Sequence, residues 1–274
     1  KMLAKLTEGK VYFSIAKNAA PELKMMQGVE INVFEGAHPA GNVGVQINKL
    51  NPINKGEVVW TMNLQDVIAL GRFVNKGIVD LTKYVALTGP EVYNPCYFKT
   101  IVGTNIQPMI AGNVYKENKL RYISGNVLSG IKIAENGYLG AFDSQITVIQ
   151  EGDEADELIG WLTPRFNKFS ASLSYPWQRF AKFCKCKFDF DARVLGGRRA
   201  IIMSGEYDKV FPMDILPEQL IKAMIAKNLD QMEALGAYEV APEDFALCEF
   251  VCTSKMELQS IVREALDYMR KELE

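Results

Sequence analysis

The stretch ALCEFVCTSK, residues 246–255, sets Cys248 and Cys252 four positions apart and follows them with hydroxyls and a lysine. On a helix that spacing places both thiols on one face, where they could begin a metal site, an iron–sulfur site or a redox dithiol. Cys184 and Cys186 would share one face of a strand in KFCKCKFDF. Four thiolates are what a zinc or iron–sulfur site takes, but C-x-C with C-x3-C is not a common ligand spacing and no C-x2-C-x2-C run occurs. Free cysteine behaves as a small hydrophobe, so burial is the favoured reading. Cys248 and Cys252 are therefore weak metal candidates, and no metal is expected.

EGAHPAGNVGVQINKL, residues 35–50, is the second chemical-looking segment. Its glycines would let backbone N–H groups approach a phosphate at the start of a helix. It is neither GxGxxG nor a Walker motif, and a structural turn is the favoured alternative. His38, the single histidine, lies inside it and could act as an acid–base group, yet no partners for a catalytic triad or a metal are evident. His38, Gly41, Asn42 and Gly44 stand as weak cofactor-binding candidates.

The third segment, residues 163–199, carries nine Lys or Arg against two Asp, a net +7 in a chain whose formal charge is −2. Eight aromatics interleave these charges. Such a surface suits a partner subunit or an anionic membrane face; a solvated face with aromatics packed inward is the plain alternative. An acidic chain makes nucleic acid the poorer partner. Arg179, Lys182, Lys185 and Lys187 are the partner-binding candidates.

The elements that must position these groups follow from periodicity and punctuation. KVYFSIA (10–16) and VEINVF (29–34) read as strands alternating with helical patterns, the mark of βα units over a parallel sheet. Val43, Ile47 and Leu50 predict a short helix, and NLQDVIALGRFVNKG predicts one capped by Asn63 and stopped at Gly77. YVALTGP (84–90) reads as a buried strand. From Cys96 to about Gly152 short alternating runs and many glycines predict a small β-rich module. The last 75 residues predict three short helices and one long one, with Pro217 and Pro242 in first turns and capping boxes at Asp230/Glu233 and Ser254/Glu257.

At 274 residues and 48% hydrophobic, the chain has material for more than one core. No apolar run reaches the ~20 residues that span a bilayer, and Lys1 is an unexpected start, which suggests a fragment. Five cysteines make a poor secreted disulfide framework, so a reducing cytoplasm is expected.

HPAGNVGVQI, VVWTMNLQDVIALGRF, VALTGPEVYNP, YISGNVLSG, YLGAFDSQITVIQEG and EDFALCEFVCTSKMELQSIVREALDYMRKE occur in this order over nearly the whole chain. Together they resemble the A subunit of the bacterial sodium-translocating NADH:quinone oxidoreductase. The resemblance implies an α/β plus α+β chain with a Rossmann-like domain at 1–90, a β-grasp ligand-binding module at 91–152, a basic aromatic connection at 153–199 and a helical domain at 200–274. The same architecture is implied by kinship with the flavin-binding subunit of respiratory complex I and the C subunit of the Rnf complex.

The resemblance further implies a peripheral subunit on the cytoplasmic side of the bacterial inner membrane, without independent catalysis. NADH, flavins, iron–sulfur and ubiquinone would be handled by other subunits. The main partner would be a membrane-embedded quinone/flavin subunit, with ubiquinone as a further contact. The relatives' helical domain resembles an α-helical ferredoxin; only Cys248 and Cys252 remain of its ligands, a relic site. The alternative is a redox-active subunit carrying FMN or an iron–sulfur cluster, as in the Rnf complex.

Overall fold

The computed structural model describes residues 2–115, 119–153, 169, 188, 190–194 and 196–273. It combines helices and sheets in two compact units: Lys1–Thr61 with Ile201–Cys252 and Glu257–Glu274, and Met62–Ala200 with Thr253–Met256.

In the first unit β1 (Tyr12–Ala16) and β2 (Glu30–Phe34) form a parallel pair with Tyr12 opposite Glu30 and Ile15 opposite Val33. The chain then turns through the glycine loop into α1 (Val43–Leu50). Its other half is helical: α4 (Pro217–Ile225), α5 (Leu229–Ala234), a 3-10 turn Pro242–Phe245, α6 (Ala246–Val251) and α7 (Leu258–Leu273). Leu220, Ile221, Met232, Phe245, Leu258 and Val262 are fully buried there, and Phe211 packs on Phe245 with ring centroids 4.8 Å apart. In α7 the buried positions Leu258, Val262, Ala265 and Met269 recur every three or four residues, so one stripe of that helix leaves water.

The second unit begins with α2 (Leu64–Lys76), which ends as expected at Gly77, φ +67°, whose N–H bonds Phe73 O. None of its residues is buried. Gln65 clamps the backbone of Tyr84, donating to its carbonyl at 3.1 Å and accepting its N–H at 2.8 Å. Five strands follow in the order β4-β3-β7-β5-β6: β3 (Thr82–Thr88), β4 (Cys96–Ile101), β5 (Leu120–Ser124), β6 (Ile131–Ile133) and β7 (Gln145–Gln150), with the short α3 (Gln107–Ile110) between β4 and β5. β7 is central, parallel to β3 and antiparallel to β5. Val85, Leu87, Ile106, Ile110, Ile146 and Val148 make the core beneath it.

Two sheet features hold the glycine-rich turns. Ser124 Oγ donates to Asp143 Oδ2 and accepts the Gly140 N–H at 2.9 Å, while the buried Lys83 ammonium donates to Ala141 O at 2.6 Å. Glu151, buried, takes Arg121 in two hydrogen bonds and Lys132 in a third, and the Arg121 bond first holds its carboxyl down at about 2.

Helix caps differ from expectation in two places. Asn228, not Asp230, caps α5, accepting from Gln231 N at 3.1 Å, because the helix begins at Leu229 and Asp230 lies inside its first turn, while Glu233 bonds Lys55 and Tyr238. Ser254 Oγ donates to Ala200 O, and the Gln259 N–H of α7 is taken by Glu249 from α6. At Ser254 a tertiary partner wins over the local cap.

Candidate functional site

The glycine loop leads from β2 to α1 within the first unit. His38 and Gly41 are exposed, Asn42 is half-buried, and Asn42 has extended cap geometry without a side-chain cap bond. The side chain of Gln46 reaches back to the carbonyls of Ala40 and Gly41 at 3.4 Å. Of the two glycines among these candidates, Gly41 faces open space and Gly44 meets an ionisable side chain. A Cβ on Gly44 would lie 2.6 Å and 2.9 Å from the two carboxylate oxygens of Asp244. Val45, next along the chain, is buried and anchors the turn.

Asp244 belongs to the turn Pro242–Phe245, where Oδ2 accepts the Ala241 N–H at 2.8 Å. Its Oδ1 is buried and has no hydrogen-bond partner among the described residues. Burial pushes the carboxyl up to about 6, opposed by the Ala241 bond and aided by the charge of Glu243. Gly44 therefore opens a close approach to the backbone, as glycines do in phosphate loops, but the group that enters is the protein's own carboxylate. A phosphate brought to the same spot would face a like charge in a poorly solvated place.

The pH dependence follows in sign from that shift. The folded carboxyl titrates near 6 against 3.8 unperturbed, so its favourable contribution is complete below about pH 4 and lost as pH rises through 6. The loss amounts to about 3 kcal/mol by the linkage relation. Denaturant unfolding at pH 4.5 and pH 7.5 is expected to show Asp244→Asn gaining more stability over the unsubstituted chain at the higher pH, by about 2 kcal/mol; an equal effect at both values would contradict it.

A cleft of about 240 Å³ in the same unit is lined by Asn54, Lys55, Glu233, Gly236, Tyr238 and Glu239. Its polar groups satisfy each other: Glu233 Oε1 takes Lys55 at 2.6 Å and the Tyr238 hydroxyl, and Glu239 takes Asn48 Nδ2 at 2.7 Å. Lys55 and then Tyr238 hold the Glu233 carboxyl below its ordinary value. These bonds fasten the chain after α1 to the helices.

Cys248, inside α6, and Cys252, at its end, are fully buried. The Tyr207 hydroxyl lies 2.9 Å from Cys252 Sγ, and Cys248 Sγ is 4.0 Å from Tyr207 O. Burial pushes the Cys248 thiol up to about 12 and raises Tyr207 as well. The metal-binding form of cysteine is the thiolate, which burial of this kind disfavours. Beside them Glu218, also buried, accepts from Ser204 N, Ser204 Oγ and Gly205 N on one oxygen. No group of three or more His, Cys, Asp or Glu suited to a metal occurs among the described residues. Cys184, Cys186, Arg179, Lys182, Lys185 and Lys187 lie outside the described residues.

Asp244, Tyr207 and Glu218 were not among the sequence candidates. Their partners lie far away in the chain, and the one local signal is that Asp244 stands three positions after Ala241, where a carboxylate caps a turn.

Two family models match the chain, the NqrA second alpha/beta domain over residues 1–79 and the NQRA C-terminal domain, of SLBB type, over residues 84–135. The A subunit of the Na(+)-translocating NADH-quinone reductase of Pasteurella multocida (strain Pm70) is 39% identical over 272 residues, covering 99% of this chain and 60% of the relative. The protein of the same name from Rhodopirellula baltica is 41% identical over 271 residues, 98% of this chain and 59% of the relative. The chain resembles these A subunits along nearly its whole length. It spans about three fifths of the length of the relatives it matches. The first family match takes in β1, β2, α1 and α2, and the second runs from within β3 through β6. No helix among the described residues is long and apolar enough to cross a membrane.

Proposed function

We propose that the chain is a cofactor-free, peripheral part of the A subunit of a sodium-translocating NADH–quinone reductase. The complex would couple NADH oxidation and quinone reduction to sodium export, with flavins, iron–sulfur and ubiquinone carried by other subunits. This chain would act as a scaffold, or close to the quinone, on the cytoplasmic face. The proposed organisation is Rossmann-like at 1–90, β-grasp at 91–152 and ferredoxin-like without its cluster at 200–274. Similarity to proteins of that name along nearly the whole of this chain supports the assignment. What carries the cofactor-free reading is the Asp244 carboxylate pressed on Gly44, where a flavin phosphate would have to enter. The burial of both thiols, the upward push this gives Cys248, and the hydroxyl of Tyr207 against Cys252 add to it.

An absorption spectrum of the anaerobically purified chain, with iron and flavin assays, tests this reading. It is expected to lack visible bands, and stoichiometric flavin or iron would overturn it. Docking is assigned to the basic stretch at 163–199, onto a membrane-embedded subunit. Charge reversal at Arg179, Lys182, Lys185 and Lys187 is expected to impair assembly of the complex; intact assembly would remove that part of the proposal.

A further inference from the structure

The sheet unit carries a short antiparallel ladder outside its named strands. Val92 lies opposite Val114, with Tyr93 N donating to Asn113 O at 2.8 Å and Tyr115 N donating to Glu91 O at 3.1 Å. Side chains alternate in direction along such a pair, so Val92 and Val114 turn one way together while Glu91, Tyr93 and Tyr115 share the other face. Both valines are buried in the sheet core, which fixes that orientation. The Tyr93 and Tyr115 rings pack diagonally across the ladder, with centroids 3.9 Å and planes 47° apart, and stay 49% and 37% exposed.

Glu91 is the odd member of this face. It is only 7% exposed, yet no hydrogen bond or ion pair to its carboxylate occurs among the described residues. Glu151, equally buried in the same unit, takes Arg121 and Lys132. A carboxylate withdrawn from water without a partner costs free energy, and removing the charge relieves it. The backbone here has little freedom to carry Glu91 outward. Gly89 packs against the Val148 backbone of β7, and the Asn113 side chain donates to Met109 O at 3.0 Å. The face thus holds a fixed carboxylate beside two half-exposed rings. Aromatic faces attract a cation lying over them, and a carboxylate accepts its N–H groups.

We infer that Glu91, Tyr93 and Tyr115 form a docking site for one arginine side chain of a partner protein. Guanidinium suits the site better than ammonium, because a planar group stacks on a tyrosine ring while its fork of donors meets the carboxylate. Tyrosine and arginine are also the side chains that most often anchor protein interfaces. The partner is a neighbouring subunit of the complex proposed above, and to that extent the inference rests on that reading. It is independent of the cofactor question and of the basic stretch at 163–199.

Two measurements test it. Amide NMR of the 274-residue chain, titrated with N-acetylarginine amide, should show saturable shifts at residues 91, 93 and 115. N-acetylcitrulline amide, of the same shape without the charge, should leave them in place. Glu91→Gln should weaken the arginine probe by about tenfold while leaving the thermal transition of the chain where it was or higher. Equal shifts from both probes, no shift from either, or a Glu91→Gln chain that melts earlier would overturn the inference, the last because the carboxylate would then have a partner within the chain. In the assembled complex, Glu91→Gln and Tyr115→Leu should each lower retention of the subunit, most at high salt. Retention equal to that of the unsubstituted subunit would also overturn the inference, whereas an unsubstituted subunit that fails to assemble would count against the A-subunit reading.

Discussion

Replacing Gly89 by alanine is expected to abolish the folded sheet unit, read as loss of soluble protein and of the cooperative thermal transition. A Cβ there would collide with the carbonyl oxygen of Val148 and lie 2.7 Å from its nitrogen. Those atoms belong to β7, the central strand, held by β3 on one side and β5 on the other, so the neighbour cannot retreat without breaking the ladder. Gly89 also has φ +128°, a conformation that side chains rarely adopt. The two effects separate by comparison with Gly112, φ +75° and open space around its Cβ position. Gly112→Ala should cost only about 1–2 kcal/mol, the strain of a left-handed residue. Gly89→Ala should exceed about 4 kcal/mol, as clashes with backbone do. Equal melting temperatures for the two variants would show that β7 is not where the structure has it.

The second large effect concerns Gly44→Ala. Helix propensity alone predicts a gain of up to about 1 kcal/mol from glycine to alanine. Against this stands a contact of 2.6 Å with a carboxylate that is 1% exposed and tied through Oδ2 to Ala241. Asp has few rotamers, and the site is packed, so the contact should win and leave a net loss of about 2–3 kcal/mol. Asp244→Ala removes the obstacle together with a buried, half-satisfied charge, at the expense of one hydrogen bond. In that background Gly44→Ala should become neutral or stabilising, and urea unfolding of the four proteins measures the coupling. A Gly44→Ala chain as stable as the original would mean that the loop is open, and the cofactor-free reading would lose its main support.

The strands 12–16, 30–34 and 82–88 and the helices 43–50 and 64–76 were legible because their signals are local: β-branched runs, apolar periodicity, and a glycine stop at 77. Pro217 and Pro242 likewise stand in first turns where expected. The sheet order was not legible, since nothing near residue 145 says that this strand enters between two earlier ones. Caps failed where a distant group competed, as at Ser254, which bonds Ala200 in place of the helix. The site was half visible. Gly44 stood out as a glycine before a helix, but its partner lies 200 positions later and carries no local mark beyond its place in a turn.

The placement of β7 also bears on synthesis. β3 acquires its inner neighbour only when residues 145–150 have left the ribosome, and until then its core-facing Val85 and Leu87 have no cover from Ile146 and Val148. The other unit waits longer, because β1, β2 and α1 belong with helices that end at residue 273. Residues 62–200 thus interrupt a unit whose first segment is made more than 130 residues before its second. A nascent chain would carry an open, apolar-faced pair of strands through most of its translation, a period in which a holding chaperone has an obvious target.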